Sequence, residues 1–192
     1  MTEMFAPSRF GTQLVEAPQD WQHFESLLRA YATTDLDQPH LSSIWNDLND
    51  LPARYGPPHG AAILLSTSDQ SHHFNQVVGC GAIASTHLSG ACEIKRLYIK
   101  PDLRGKGGSK VLIRRLLQLA QAGGYDQAVL STWQHNTTGL ALYKALGFVP
   151  VPSFKSHPNS ELIFLGRMLS AADAQTSPSV SYTHLRAHET LM

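Results

Sequence analysis

The sequence predicts a mixed α/β domain in which helices flank a central mixed sheet of about six to seven strands. Three observations support this fold class. Apolar residues recur at helical spacing over 18–33, "AAILLS" and "VVGCGAIAS" have the composition of strands, and helical patterns alternate with strand patterns in the second half of the chain. The predicted order is β-α-α-β-β-β-α-β-α-β-β, an antiparallel meander that leads into βαβ units.

The predicted elements share simple boundary signals, such as the glycines at 123–124 and Gly147 after two of the helices. A polar hairpin loop joins the two strands in the middle of the chain. In chain order, the elements are a strand at 12–15, helices at 18–33 and 41–51, strands at 61–66, 77–85 and 92–100, a helix at 107–121, a strand at 128–132, a helix at 137–146, and strands in "FVPVPSF" and "ELIFLGRML".

We expect residues 1–169 to form a single domain and residues 170–192 to form a disordered tail. The string "VSYTHLRAHET" at 180–190 resembles one reading frame of a transposase-adapter oligonucleotide, so we expect it to be a cloning scar. The first residues lack a signal-peptide pattern, and no apolar run approaches the roughly 18 residues that span a bilayer. Cys80 and Cys92 fit neither a zinc site nor a disulfide framework, and the chain is expected to be cytoplasmic.

Charge is unevenly distributed along a chain whose net charge is zero. Residues 1–60 contain eight acids and three bases, whereas residues 95–115 contain eight of the fifteen Lys and Arg residues. Zero net charge argues against nucleic-acid and membrane partners. The basic stretch instead predicts a site for a small polyanion.

A glycine-rich segment, "RGKGGS" at 104–109, lies between a predicted strand and a predicted helix. In that position, backbone N–H groups approach an anion closely and the helix dipole adds positive potential. The segment is neither a Walker A loop nor a GxGxxG motif, because Lys110 stands where the third glycine belongs. The alternative is a plain helix-entry turn with a solvated basic face.

The strand before this loop contains a phase slip. Its apolar residues lie at 92 and 94 and then at 97 and 99, which predicts a β-bulge. A bulge splays strands and leaves backbone N–H groups for a ligand amide or an oxyanion. The alternative is that Leu97 packs under the next helix while Lys95 and Arg96 point to solvent.

Two motifs together resemble the GNAT superfamily of N-acetyltransferases, over about residues 12–169. The family's Q/R-x-x-G-x-G/A signature falls on Arg104, Gly107 and Ser109. Its second signature falls on Asn136, Tyr143 and the "GF" at 147–148. The resemblance implies a GNAT-like sheet and transfer of an acetyl group from acetyl-CoA to a primary amine.

The chain departs from the family pattern at three positions. Ser109 replaces Gly or Ala, Gly108 stands where an apolar residue is usual, and Gly139 stands where Ala is usual. Glycine carries an entropic cost within a helix, so we expect a loosened helix start at 108 and 109.

The resemblance implies acetyl-CoA as cosubstrate and no metal ion. Its pyrophosphate would lie on the amides of the glycine-rich segment, and its pantetheine arm would lie along the bulged strand like an added strand. The implied cofactor-binding residues are Leu97, Tyr98, Ile99, Arg104, Gly105, Lys106, Gly107, Gly108, Ser109 and Asn136.

Two residues are predicted to be catalytic. An amine with a pKa of about 10 must lose a proton before it attacks a thioester at pH 7. Glu93 stands where the histone-acetyltransferase-like branch of the family has its general base, and the N–H near Leu97 would stabilise the oxyanion. Tyr143 would protonate the sulfur of coenzyme A. Alternatively, Glu93 pairs with Lys95 or Arg115, and Tyr143 packs in the core.

The acceptor is expected to be a small-molecule or peptide amine. In the family its site lies between the first helices and the last strands, where the chain offers Asp35, Asp37, Trp45, Asp47, Asp50, Tyr55, Phe154 and His157. An acidic lip would suit a cationic amine, although a solvated helix face explains the same acids. His72, His73 and His87 lack metal-ligand spacing, and His135 is expected to be solvated or to cap a helix.

Two other functions remain open from the sequence. A non-catalytic acetyl-CoA-binding regulatory module would keep the glycine-rich loop without turnover. A nucleotide-binding protein would use the same loop for ATP, although no Walker lysine is present. A homodimer is left open as well.

Overall fold

The computed structural model describes residues 9–36, 39–67, 76–157 and 161–174. The described residues form the predicted mixed α/β fold, in which helices flank a seven-stranded sheet. The strands are β1 (Phe10–Leu14), β2 (Gly60–Thr67), β3 (Gln76–Ser85), β4 (Ala91–Ile99), β5 (Gln127–Trp133), β6 (Val149–Pro150) and β7 (Leu162–Met168). The α-helices are α1 (Pro18–Thr34), α2 (Ile44–Asp47), α3 (Leu51–Tyr55), α4 (Gly108–Ala122) and α5 (Thr137–Ala145).

The sheet has the strand order β1-β2-β3-β4-β5-β7-β6. Strands β1 to β4 form an antiparallel meander, and β5 pairs with β4 in parallel. Helix α4 provides the crossover that a parallel pair requires. The antiparallel strands β7 and β6 complete the far edge. The predicted meander followed by a βαβ unit is therefore confirmed.

Apolar side chains pack on both faces of the sheet. One cluster joins α4, through residues such as Leu112 and Leu116, to Ile94 and Ala128 of the central strands. The other cluster joins α1 and α3 to the opposite face, where Tyr98 and Cys80 lie. Alternation along β4 thus assigns each side chain to one face.

The predicted helix at 41–51 is instead two short helices, α2 and α3. Pro52 lies in the first turn of α3, where a missing N–H is tolerated. The Asp50 carboxylate caps this helix by accepting a hydrogen bond from the Ala53 amide at 3.0 Å. The strand predicted in "FVPVPSF" is only two residues long, because its prolines cannot donate to a ladder.

The described residues include the first part of the predicted tail. Residues 171–174 form a 3-10 turn in which Asp173 accepts hydrogen bonds from Arg167 Nη2 at 2.7 Å and from the Ser170 amide at 2.9 Å. The rest of the predicted tail lies outside the described residues, as do His72, His73 and Asp37. No helix in the described ranges is long and apolar enough to cross a membrane.

Candidate active site

Two glycines with left-handed backbone conformation lie in the glycine-rich loop just before α4. Gly105 has a φ of +72° and Gly107 a φ of +90°, which side chains other than glycine rarely adopt. Helix α4 begins at Gly108 and has no acidic residue in its first turn. Its first amides have no acceptor within the helix, so positive potential collects at this exposed end.

Gly108 is buried rather than loosening the helix start. A Cβ atom built at this position would lie 2.9 Å from Leu65 Cδ2 and 3.0 Å from Ile99 Cδ1. Glycine therefore lets α4 start in direct contact with β2 and β4. The expectation of a loosened helix at Gly108 was wrong, because close packing offsets the entropic cost of glycine. Ser109, the next residue, is exposed.

Arg104 links the loop to α1. Its Nε atom donates to the Ile99 carbonyl at 2.8 Å, and its guanidinium forms an ion pair with Asp35. The guanidinium carbon also lies 5.7 Å from the centre of the Tyr98 ring. The Arg104 amide donates to the Pro101 carbonyl at 3.3 Å, which leaves the amides after Arg104 as the candidates for an anion. Lys106 Nζ donates to the Asp102 carbonyl at 2.9 Å.

Strands β4 and β5 separate beside this loop. Their paired residues end at Glu93 and Val129, although both strands continue well beyond that point. The predicted bulge is present in β4, because the register with β3 shifts at this point and Arg96 has a φ of +59°. The backbone from Leu97 to Ile99 therefore borders a gap in the described sheet.

The bulge directs Arg96 into the protein instead of into solvent. Its Nε atom lies 2.8 Å from Asp47 Oδ2 and 3.1 Å from the Tyr55 hydroxyl, and its Nη2 atom lies 2.8 Å from Ser43 Oγ. The Arg96 and Asp47 side chains are 8% and 5% exposed. The ion pair joins α2 to the bulge, and sequence reasoning missed it because these residues lie 49 positions apart.

Glu93 is 7% exposed and forms an ion pair with Lys155. The sequence alternatives were Lys95 and Arg115, so the partner was missed. Lys155 lies in the segment between β6 and β7, which is 62 positions from Glu93. No periodic pattern connects a loop lysine to a strand residue at that separation.

A cleft of about 680 Å³ opens beside this ion pair. It is lined by His87, Leu88, Gln127, Val129, Val151, Pro152, Ser153, Phe154, Lys155 and Ser156. Gln127 and Val129 alternate with Ala128, whose side chain packs under α4. The cleft therefore opens on the face of the sheet opposite α4, next to the end of the β4–β5 pairing.

Tyr143 lies on α5 and packs against the cluster under α4. Its ring meets the Phe148 ring edge-on at 5.9 Å, and its hydroxyl also interacts electrostatically with Tyr31 of α1. Burial, and secondarily Tyr31, raise the pKa of Tyr143 to about 12. Tyr143 is thus a protonated phenol at neutral pH.

Asn136 caps α5. Its Oδ1 atom accepts from the Gly139 amide at 3.0 Å, and its Nδ2 atom donates to Thr132 Oγ1 at 3.0 Å. A Cβ atom on residue 139 would lie 2.3 Å from Asn136 Nδ2, which explains glycine in place of alanine. One hydrogen on Nδ2 remains for a ligand.

The expected acidic lip is not present among the described acids. Asp47 is buried against Arg96, Asp35 pairs with Arg104, and the Asp50 carboxylate caps α3. Each carboxylate is committed to a contact within the protein. Buried Cys80 and Cys92 are free thiols, and burial raises the pKa of both. Within the described ranges, no group of three His, Cys, Asp or Glu residues could hold a metal ion.

An aromatic cluster lies at the end of β5. The exposed His135 ring stacks on Trp133 with a centroid separation of 6.0 Å. His157 meets the same indole edge-on at 5.7 Å. Trp133 lies four residues after Val129 on β5, so both side chains point to the same face of the sheet. The aromatic cluster therefore lies on the cleft side.

Comparison with known proteins identifies the family. Residues 21–148 match the Acetyltransferase (GNAT) family. An uncharacterized N-acetyltransferase of Schizosaccharomyces pombe is 28% identical over 84% of this chain and 96% of its own length. An N-acetylaspartate synthetase of Danio rerio is 30% identical, over 55% of this chain and 36% of its own length.

A solved structure supports the fold. The PaiA N-acetyltransferase of Thermoplasma acidophilum, in complex with coenzyme A, superposes with a TM-score of 0.58 at 14% identity. The match covers 83% of this chain and 98% of that chain. The chain therefore belongs to the Acetyltransferase (GNAT) family, the N-acetyltransferases that its two sequence motifs resemble.

Proposed function

We propose that this protein transfers the acetyl group of acetyl-CoA to a primary amine by direct attack through a tetrahedral intermediate. The observation that carries the proposal is the end of the β4–β5 pairing at Glu93 and Val129. This gap lies between the glycine-rich loop, which suits phosphate, and the cleft, which suits an acceptor. Packing of Tyr143 against the cluster under α4 and its electrostatic interaction with Tyr31 support the proposal that it reaches this gap.

The acetyl-CoA side of the site is formed largely by backbone. The amides from Gly105 to Ser109 and the start of α4 would hold the pyrophosphate. The unpaired edge of β4 from Leu97 to Ile99 would hydrogen-bond the pantetheine arm. The free hydrogen on Asn136 Nδ2 is available to the same arm. Acetyl-CoA supplies the activated acetyl group.

Glu93 is the proposed general base. The acceptor enters from the cleft as an ammonium ion, and the Glu93 carboxylate accepts its proton directly or through a water molecule. The amine nitrogen then forms a bond to the thioester carbon. The Leu97 amide, which follows the bulge, stabilises the oxyanion that develops.

Tyr143 is the proposed general acid. Burial raises the pKa of Tyr143 to about 12, so the phenol is protonated at neutral pH. It then donates that proton to the sulfur as the carbon–sulfur bond breaks. The nitrogen loses its second proton to the resulting Tyr143 phenolate, directly or through water, and Glu93 releases its proton to solvent, which restores both groups.

The test is thiol release from acetyl-CoA over a panel of amines, with mass spectrometry of the products. We expect N-acetylated product with the wild-type protein. Glu93→Gln should lower kcat about 10²- to 10⁴-fold, and the residual activity should rise with pH as free amine accumulates. The exposed Glu25→Gln variant is the control. Coenzyme A binding without thiol release for any amine would favour a regulatory module instead.

A further inference from the structure

The ion pair between Glu93 and Lys155 borders the cleft where the acceptor would enter. The Lys155 side chain is one-third exposed and lines the cleft, whereas the Glu93 side chain is 10% exposed. Glu93 is paired in the sheet with Val129, which also lines the cleft. An acceptor that reaches Glu93 from the cleft therefore meets Lys155.

Positive charge exceeds negative charge around this pair. Lys95 lies within electrostatic reach of Arg96, Glu93, Asp47 and Lys155. Burial, and next the Arg96 guanidinium, lower the pKa of Lys95 to about 8, while the two carboxylates oppose that shift. Of the two carboxylates that act on Lys95, Arg96 already occupies Asp47, and Glu93 is the one that Lys155 contacts.

A simple cationic amine fits this arrangement poorly. Its ammonium would compete with Lys155 for Glu93 and would leave the lysine ammonium without its carboxylate. Separating a partly buried ion pair in this way is costly, because one charge loses its partner in a desolvated site. Of the four acids expected to attract a cation, Asp35, Asp47 and Asp50 are committed elsewhere, and Asp37 lies outside the described residues.

We propose that the acceptor is an amino acid whose amino group and carboxylate are both free, so that it inserts between Glu93 and Lys155. Its ammonium replaces Lys155 as the partner of Glu93, and its carboxylate replaces Glu93 as the partner of Lys155. Both charges of the protein keep a partner, and the net charge of the site is unchanged. This inference rests on the proposed function and names its acceptor class.

The exchange also prepares the reaction. Glu93 takes a proton from the acceptor ammonium, the nitrogen bonds to the acetyl carbon, and the carbon–sulfur bond breaks. Tyr143 gives its proton to the sulfur, and the second proton of the nitrogen passes to the resulting phenolate, directly or through water. Lys155 contacts the substrate carboxylate throughout and determines which acceptors bind.

The test compares acceptors that differ only by the carboxylate. L-Leucine is paired with 3-methylbutylamine, L-phenylalanine with 2-phenylethylamine, and spermidine serves as a polycation. We expect kcat/KM to be at least about tenfold higher for each amino acid than for its matched amine, a difference of about 1.4 kcal/mol. Equal or higher kcat/KM for the amines or spermidine would overturn the acceptor class while acetyl transfer itself stands.

Variants of Lys155 give a second test. Lys155→Ala should raise the KM for the amino acid at least about tenfold and leave the KM for acetyl-CoA unchanged, whereas Lys155→Arg should retain much of the wild-type value. The exposed Arg29→Gln variant removes the same charge and should leave both KM values unchanged. An unaltered KM for the amino acid in Lys155→Ala would contradict the proposal.

A binding measurement does not depend on turnover. Isothermal titration of the protein bound to coenzyme A, which has no acetyl group to transfer, should show that L-leucine binds more tightly than 3-methylbutylamine, and that Lys155→Ala abolishes the difference. Equal binding of the two to the wild-type protein would overturn the role of Lys155. The titration could show the carboxylate preference while the thiol-release assay shows no turnover with any amine. In that case the proposed catalysis is wrong, but the carboxylate site stands.

Discussion

The two halves of the active site are constructed differently. The half assigned to acetyl-CoA comes from one continuous stretch, β4, the glycine-rich loop and the start of α4, over residues 97–109. The half assigned to the acceptor comes from contacts between distant segments. Glu93 meets Lys155 from 62 positions away, and Arg96 meets Asp47 from 49 positions away.

The first half has binding chemistry that is common to many pyrophosphate sites, whereas the second half has charged contacts that are particular to this protein. Backbone amides and a helix terminus bind any pyrophosphate, so the first half depends on chain conformation more than on side chains. The second half depends on which charges the tertiary fold brings together. Changes in the two halves should therefore have different kinds of effect.

The largest expected effect on stability comes from removing Asp47. Asp47→Ala leaves the buried Arg96 guanidinium without its carboxylate, and we expect a loss of about 3–5 kcal/mol in the free energy of unfolding. Urea denaturation measures this loss. The matched control is Glu25→Ala, which breaks the exposed pair with Arg29 and should cost less than about 1 kcal/mol. An equal loss of unfolding free energy in Asp47→Ala and Glu25→Ala would show that the Arg96–Asp47 pair does not stabilise the bulge.

A smaller effect is expected from the backbone of the loop. Gly107→Ala places a Cβ on a residue with a φ of +90°, which costs about 1–2 kcal/mol. We expect the Kd for coenzyme A to rise about five- to thirtyfold. Gly11→Ala is the control, because a Cβ there meets no atom within 4 Å and φ is not left-handed. If Gly107→Ala instead lowers only the urea denaturation midpoint and leaves the Kd for coenzyme A unchanged, the loop does not take part in binding.

The smallest effect concerns the pH dependence of stability. Burial lowers the pKa of Lys95 from 10.5 to about 8, so its unfavourable burial as a cation is fully present below about pH 8. Between about pH 8 and 10.5 the unfolded chain binds more protons, and stability should rise with pH. Lys95→Met should be more stable at neutral pH and should lack that rise. Parallel stability curves for the two proteins would contradict this interpretation.

The sequence predicted the parts of the site that have local causes. The phase slip at 94 and 97 predicted the bulge, and "RGKGGS" was predicted to lie between a strand and the helix that became α4. Lys155 and Asp47 carry no such signal, because ion pairs between distant segments leave no period or spacing. Gly108 shows the same limit, since its tight packing against Leu65 follows only from how α4 crosses the sheet.

The predicted acidic lip shows a related limit, because three of its four acids contact other groups of the protein. Acidic residues in the first helices are visible in the sequence, but their partners are not. Arg104, Arg96 and the α3 amides each occupy one of these carboxylates in the folded protein. Composition alone therefore does not show which of these acids remain unpaired in the folded protein.

The most direct test of the account is the turnover of Tyr143→Phe measured together with its Kd for coenzyme A. We predict that kcat falls about 10- to 10³-fold while the Kd is unchanged, because only the proton donor is lost. Tyr125→Phe is the matched control, since Tyr125 packs against the same cluster under α4 without reaching the gap. Unchanged kcat in Tyr143→Phe, or equal loss in both variants, would contradict the claim that the reaction occurs where β4 and β5 separate.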